Sequence, residues 1–265
     1  MKTALLVSTY NWPEALSLVF LSLENQSVFP DEVLIADDGS TEETTKLIAD
    51  FKAKTKLDIH HFWHEDKGFR RSEALNKTIA GSTSDYIIQI DGDCIMHRDF
   101  IKDHLAIAEK NVFLFGSRVT ITKDFKPKVF SNKIIDFNFL SAGIKKRGRT
   151  IRIPYLRNRN VKSPDFSNKV RGCNLSFWRE DFIKVNGYNE DISGWGREDS
   201  ELVLRMLNAG IQGKRLKYGG IIYHIYHPEA SKDQLGSNNE IQQATISQKK
   251  QSCENGVSKY LTSSE

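Results

Sequence analysis

Over residues 3–116 short apolar runs alternate with amphipathic ones, and this alternation limits the possible folds more than any other feature. Residues 3–8 (TALLVS) read as a buried strand. Pro13 stands where a helix begins without losing a hydrogen bond, and Leu16, Val19, Phe20 and Leu23 follow at i, i+3, i+4 and i+7. Residues 32–36, 57–63 and 86–90 read as further strands, and 42–54 and 72–80 as helices. Strands alternating with helices predict an α/β fold, a mostly parallel sheet flanked by helices. In open sheets of this kind ligands bind beyond the carboxyl ends of the strands. Those ends carry the polar groups here: Ser8-Thr9-Tyr10-Asn11, Asp37-Asp38-Gly39-Ser40, the stretch 64–71, and Asp91-Gly92-Asp93.

From 117 to 169 the periodicity dissolves into a basic insertion of loops and short helices. Regular signals return at 172–178 and 220–226 (strands) and at 179–186 and 197–208 (helices), the last with Leu202/Met206 and Val203/Leu207 at i, i+4. This organises the chain as one domain over 1–228, with a first half (1–116), the insertion (117–169) and a second half (170–228). A polar tail over 229–265 carries a packed helix near 239–250. At 265 residues the chain is long enough for a substantial core. Cys94, Cys173 and Cys253 are odd in number and form no C-x-x-C pair, which speaks against a disulfide framework or a zinc cluster and for a reducing cytoplasm. No apolar run approaches the roughly 18 residues that span a bilayer, and residues 1–14 do not read as a signal peptide.

The net charge of +4 is unevenly placed. Residues 145–171 hold ten bases and one acid, leaving 28 bases and 33 acids elsewhere. Three partners compete for this segment: solvent, nucleic acid, for which no recognition motif is visible, and an anionic membrane face or a lipid diphosphate, which implies peripheral contact.

Asp91-Gly92-Asp93 after an apolar strand places two carboxylates around a glycine, suited to a hard divalent cation and its polyphosphate, although D-G is also a common turn. Asp37-Asp38-Gly39-Ser40 is equally a turn, with Ser40 or Thr41 capping the next helix and Asp38 left free for a base or ribose. In Gly194-Trp195-Gly196-Arg197-Glu198-Asp199 two acids open a helix, as the macrodipole favours. An indole between two glycines is poor helix-starting chemistry and suits sugar stacking or loop anchoring. His224 and His227 lie in a strand-like run, where a spacing of three puts them on opposite faces, so at most one reaches a given metal. The stretch HEDKGFRRSEALN (64–76) sets Gly68, Arg70 and Arg71 before a helix N-terminus, a phosphate device or a solvated loop. Neither G-x-x-x-x-G-K-[ST] nor G-x-G-x-x-G occurs, which removes P-loop and dinucleotide readings.

Taken in order, VSTYN (7–11), ADDGS (36–40), DKGFRRSEALN (66–76), IDGD (90–93), GCNLSFW (172–178), GYNED (187–191), GWGREDSEL (194–202) and YHIYH (223–227) resemble family 2 glycosyltransferases of the GT-A fold. The second half resembles the galactosyltransferase-like region of chondroitin-polymerase-type enzymes. The resemblance implies a nucleotide-sugar donor, with UDP preferred, and a glycan or lipid-linked acceptor in the synthesis of cell-surface polysaccharide. Thr9 and Asn11 would line the nucleoside pocket, Asp38 would meet base or ribose, and Gly68, Arg70 and Asn76 would approach the diphosphate. Asp91 would contact ribose or donor sugar. Asp93 would bind Mn²⁺ or Mg²⁺ with His224, or with His227 as the fallback. Asp199 matches the catalytic base, Glu198 and Trp195 would shape the sugar pocket, and Asn174 would lie on the acceptor side. The pattern departs at Leu75, where many relatives carry Arg; Arg70 or Arg71 then substitutes. One base on one face predicts inversion at the anomeric carbon.

Two rivals remain. A haloacid-dehalogenase-like phosphatase would use Asp91 as nucleophile and Asp93 as general acid, but its signature opens the domain and continues with Thr or Val, not Cys94-Ile95 on a fourth strand. A non-catalytic sugar-nucleotide-binding protein would not need every motif intact.

Overall fold

Ala4, Leu5, Leu6 and Val7 are all fully buried, so the first strand is covered on both faces. Leu5 and Val7 join one apolar cluster, Ala4 and Leu6 another, as the two-residue period of a strand requires. In the computed structural model, which describes residues 1–228 and 231–261, this strand is β1 (Thr3–Thr9), followed by α1 (Pro13–Glu24), β2 (Glu32–Asp37), α2 (Glu42–Lys54), β3 (Ile59–Trp63), α3 (Arg71–Ala80) and β4 (Tyr86–Asp91). The second half adds β5 (Cys94–Met96), α4 (Phe100–Leu105), β6 (Val112–Phe115), β7 (Arg118–Ile121), α5 (Lys126–Ser131), β8 (Ile144–Lys145), β9 (Leu175–Trp178), α6 (Arg179–Lys184), α7 (Glu198–Asn208), β10 (Gln212–Arg215), β11 (Ile222–His224) and α8 (Leu235–Ser247).

Seven strands form the main sheet in the order β10-β6-β9-β4-β1-β2-β3. All neighbours are parallel except β9, which runs antiparallel to β4 and β6. A second sheet, β5-β11-β7-β8, stands beyond the end of β4. It begins with the residue after Asp93 and includes His224, so it brings two distant segments to one rim. Among the described residues no helix is long and apolar enough to cross a membrane.

Several local expectations are corrected. The run 172–178 opens with a 3-10 turn, Gly172–Asn174, before β9 starts. The strand expected over 220–226 shortens to β11. Neither Ser40 nor Thr41 caps α2 through its side chain; Ser40 Oγ instead accepts the Asn11 N–H at 2.9 Å. Near the C-terminus the helix starts at Leu235 and packs on α7, where Thr245 Oγ1 donates to Glu201 (2.9 Å) and Gln242 Nε2 donates to Ser200 (2.6 Å). Val257 is fully buried in the same cluster as Tyr188 and Leu202, so residues past 229 supply core.

Candidate active site

β4 delivers Asp91 at its last residue, and the chain must then pass β1 closely. Gly92 N–H donates to the Ser8 carbonyl at 2.7 Å, and a Cβ at Gly92 would lie 3.0 Å from that same oxygen. Glycine is what lets the turn sit there. Asp93 follows, nearly buried, with Oδ2 3.3 Å from His224 Nε2 and 3.3 Å from His227 Nε2. The expectation that at most one histidine reaches a metal is therefore corrected. Strand geometry stops at His224, Ile225 N–H donates to the Asp93 carbonyl (3.0 Å), and the turning chain carries His227 back.

These donors fit a divalent cation. The ligating atoms of Asp93, His224 and His227 all lie within 4.8 Å of one another. Burial, then the charge of Asp91, pushes the Asp93 carboxyl up to about 6. Burial, then the Arg118 guanidinium, pushes His224 down to about 3, which leaves a neutral imidazole with a free lone pair.

Arg71, the first residue of α3, joins the metal side to the other half of the crevice. Its Nη2 donates to Asp91 Oδ1 at 2.7 Å and its Nη1 to Asp199 Oδ1 at 3.1 Å, with Glu198 at 3.5 Å. Burial opposes the guanidinium charge, but Asp91 and Asp199 outweigh it and raise Arg71 well above its usual range. The same pairing overrides burial at Asp91 and lowers that carboxyl; Ser8 Oγ adds a bond of 2.9 Å. Asp199 Oδ2 also accepts the Gly172 N–H (2.8 Å), where any side chain would collide, since a Cβ would fall 2.1 Å from Asp199 Oδ1.

α7 starts abruptly because Gly194, Gly196 and Arg197 all adopt positive φ (66°, 106° and 82°). That conformation turns Glu198 back to accept the Gly196 N–H at 3.0 Å and leaves Trp195 40% exposed at the rim. Burial, then the charge of Asp199, pushes Glu198 up to about 7.

Other expected residues are already engaged. Asp38 is not free: it accepts His64 Nε2 (2.8 Å) and Arg70 N–H (2.9 Å). Asn11 Oδ1 accepts the Thr41 N–H, Thr9 is nearly buried, and Arg70 is tied to Glu73 (2.8 Å) and to the Glu65 carbonyl. Gly68, at φ 84°, stays in an exposed loop with its N–H on Asp66. Asn76 and Asn174 are corrected more strongly, since both are fully buried. Asn76 clamps the backbone of Tyr188 from both sides (2.8 Å each) and donates to Glu190. Asn174 joins His104 to the Ser117 and Gly220 carbonyls. Neither amide has a polar atom left for a ligand. Arg71 was only a substitute in the sequence reading, and its partners, 20 and 128 residues away, explain why no local pattern singles it out.

A family model described as "Glycosyl transferase family 2" matches residues 4–177, and one described as "N-terminal domain of galactosyltransferase" matches 152–228. The chain is 27% identical over 242 residues to a hyaluronan synthase of Pasteurella multocida, covering 85% of this chain and 24% of that protein. It is 24% identical over 245 residues to a chondroitin synthase of Escherichia coli, covering 85% and 35%. The chain thus spans between about a quarter and a third of these relatives. Among solved structures, S. aureus TarS aligns with a TM-score of 0.63 at 16% identity, covering 93% of this chain and 40% of the other. The mannosyltransferase PcManGT from Pyrobaculum calidifontis, in complex with GDP-Man and Mn²⁺, aligns with a TM-score of 0.60 at 17% identity, covering 93% and 64%. The architecture they share with this chain is the GT-A fold.

Proposed function

Because the chain belongs to glycosyl transferase family 2, we propose that it transfers a sugar, with inversion, from a nucleoside-diphosphate donor to a hydroxyl of a glycan or lipid-linked acceptor. UDP-hexose or UDP-N-acetylhexosamine is the preferred donor, and cell-surface polysaccharide synthesis the setting. The observation that carries this reading is the Arg71 bridge, one guanidinium holding Asp91 at 2.7 Å and Asp199 at 3.1 Å.

Asp93, His224 and His227 would hold a divalent cation, for which two imidazoles favour Mn²⁺ over Mg²⁺. Such an ion supplies Lewis-acid neutralisation of the departing diphosphate. Asp91, fixed by Arg71 and Ser8, orients the donor. Asp199 is oriented from two sides by Gly172 N–H and Arg71, and its side chain is more open than that of Glu198 (23% against 9% exposed). It takes the acceptor hydroxyl proton as the acceptor oxygen bonds to the anomeric carbon and the carbon–oxygen bond to the diphosphate breaks. Glu198, about half protonated near pH 7, limits the negative charge beside Asp199 and fixes the loop that presents Trp195. An Asp91 already bound by Ser8 and Arg71 does not suit the phosphatase nucleophile.

Following the product's anomeric configuration by NMR with a UDP-sugar tests the scheme. Inversion is expected, and Asp199→Asn should abolish transfer while UDP still binds with Mn²⁺. Retention of configuration would overturn the single displacement.

A further inference from the structure

The bases of 145–171 have two fates. Arg152 forks onto Asp103 (2.9 and 2.7 Å) and reaches Asp99 (3.2 Å), Arg157 meets Asp103 (2.7 Å), and Lys162 pairs with Glu109. These fasten the insertion to α4 and the loop after it. Lys146, Arg149 and Arg171 have no carboxylate partner among the described residues. They gather with Arg118 of β7 and Arg215 of β10, and Arg149 donates to the Arg118 carbonyl at 2.8 Å. Burial and then the neighbouring guanidiniums, Arg215 first, lower Arg149, while Lys146 is lowered by burial and then by Arg149. Arg149, Arg215 and Lys217 line a pocket of about 70 Å³ with Ser117 and Tyr218. Arg215 Nε is buried beside it without a hydrogen-bond partner among the described residues.

Like charges held together around an unsatisfied N–H are costly unless an anion joins them. The pocket is far smaller than the roughly 300–1,000 Å³ that encloses a whole organic ligand, so it suits one charged group. Two of the clustered arginines adjoin the crevice along the chain and the sheet. Arg171 precedes Gly172, whose N–H holds Asp199, and Arg118 pairs across β7 with Ile222, two residues before His224. Guanidinium forks match the planar oxygens of carboxylate and phosphate alike. We infer that this pocket is an oxyanion subsite, which takes a carboxylate or phosphate carried by the acceptor at a distance from the hydroxyl presented to Asp199. The identity of the ligand as acceptor rests on the glycosyl-transfer reading; the oxyanion site itself does not.

The test is fluorescence anisotropy of end-labelled oligomers on the full chain, without donor or metal: a uronate-bearing oligosaccharide, an alditol-phosphate oligomer and a neutral oligosaccharide of equal length. One anionic oligomer is expected to bind at least roughly tenfold tighter than the neutral one, weakening as salt rises, and the preferred oligomer identifies the oxyanion. Arg149→Gln and Arg215→Gln should each remove most of that preference while UDP–Mn²⁺ affinity by calorimetry stays unchanged. Lys217→Gln, at an exposed position, repeats the test if Arg215→Gln fails to fold. Equal binding of neutral and anionic oligomers, or full affinity in the folded variants, overturns the subsite. So does loss of UDP–Mn²⁺ binding in those variants, which assigns the cations to the donor, or variant-sensitive binding to anionic lipid vesicles but to neither oligomer. If the wild type binds an anionic oligomer through this pocket but no nucleotide sugar, the glycosyl-transfer reading fails and the oxyanion site stands.

Discussion

At the scale of single residues the crevice depends on one side chain with three acidic neighbours. Arg71 offers separate nitrogens to Asp91 and Asp199, so its shape matters as much as its charge. A lysine keeps the charge but cannot span both carboxylates. Arg71→Lys should therefore lower turnover by roughly a hundredfold or more, since a misplaced charge loses most of its effect on a transition state. Mn²⁺ affinity, measured by calorimetry, should change little, because Asp93 and the two histidines do not touch Arg71. Loss of Mn²⁺ binding in this variant would show that Asp91 carries the metal instead. The neighbouring Arg70 makes the contrast plain: one residue earlier in sequence, it is spent on Glu73 and the Glu65 carbonyl.

Elements meet through polar clamps as well as apolar faces, and Asn76 is the clearest. It stands fully buried on α3 and satisfies both the N–H and the carbonyl of Tyr188. Asn76→Ala leaves those two backbone groups buried and unpaired, at about 1–3 kcal/mol each. The variant should lose about 2–5 kcal/mol in urea unfolding, while the folded fraction keeps wild-type UDP–Mn²⁺ affinity. Unchanged stability with weakened donor binding would restore Asn76 to the nucleotide. The contrast also separates what the chain discloses from what it does not. β1, β2 and β4 are legible as short continuous apolar runs, because both faces of the sheet are covered, and α1 by its 3.6-residue period. The partner of Asn76 lies 112 residues away, and α8 holds α7 through Thr245 and Gln242 and the loop before it through Asn238, pairings that no local pattern discloses. The histidine pair departs from strand alternation because β11 ends at His224, before His227. Asp91-Gly92-Asp93 stands out in the sequence because strand ends collect polar side chains at one rim, and Glu198 and Asp199 stand out as two acids opening a helix.

For the whole molecule, buried titrating groups of opposite sign set the response to acid. His104 on α4 is fully buried between Ser176 (2.8 Å) and Asn174 (3.1 Å), and burial pushes it down to about 4. A depressed histidine stabilises the fold above its unfolded value near 6.5, and that contribution falls as pH drops toward 4, because the unfolded chain takes up the proton first. Glu198, pushed up to about 7, acts the other way: the folded state binds its proton first, so stability grows as pH falls from 7 toward the ordinary value of 4.5. Between about pH 7.5 and about pH 5 each group changes folding free energy by about 2 kcal/mol, and the two nearly cancel. Other shifted groups, Asp93 and His224 among them, are common to the wild type and both variants and drop out of differences. Relative to wild type, His104→Gln should therefore gain about 2 kcal/mol of stability on going from pH 7.5 to pH 5, and Glu198→Gln should lose about as much. Urea unfolding at the two pH values measures both. Parallel pH profiles for the two variants would mean that neither group is held in the protonation state its burial requires, and the partly protonated Glu198 beside Asp199 would have to be given up with it.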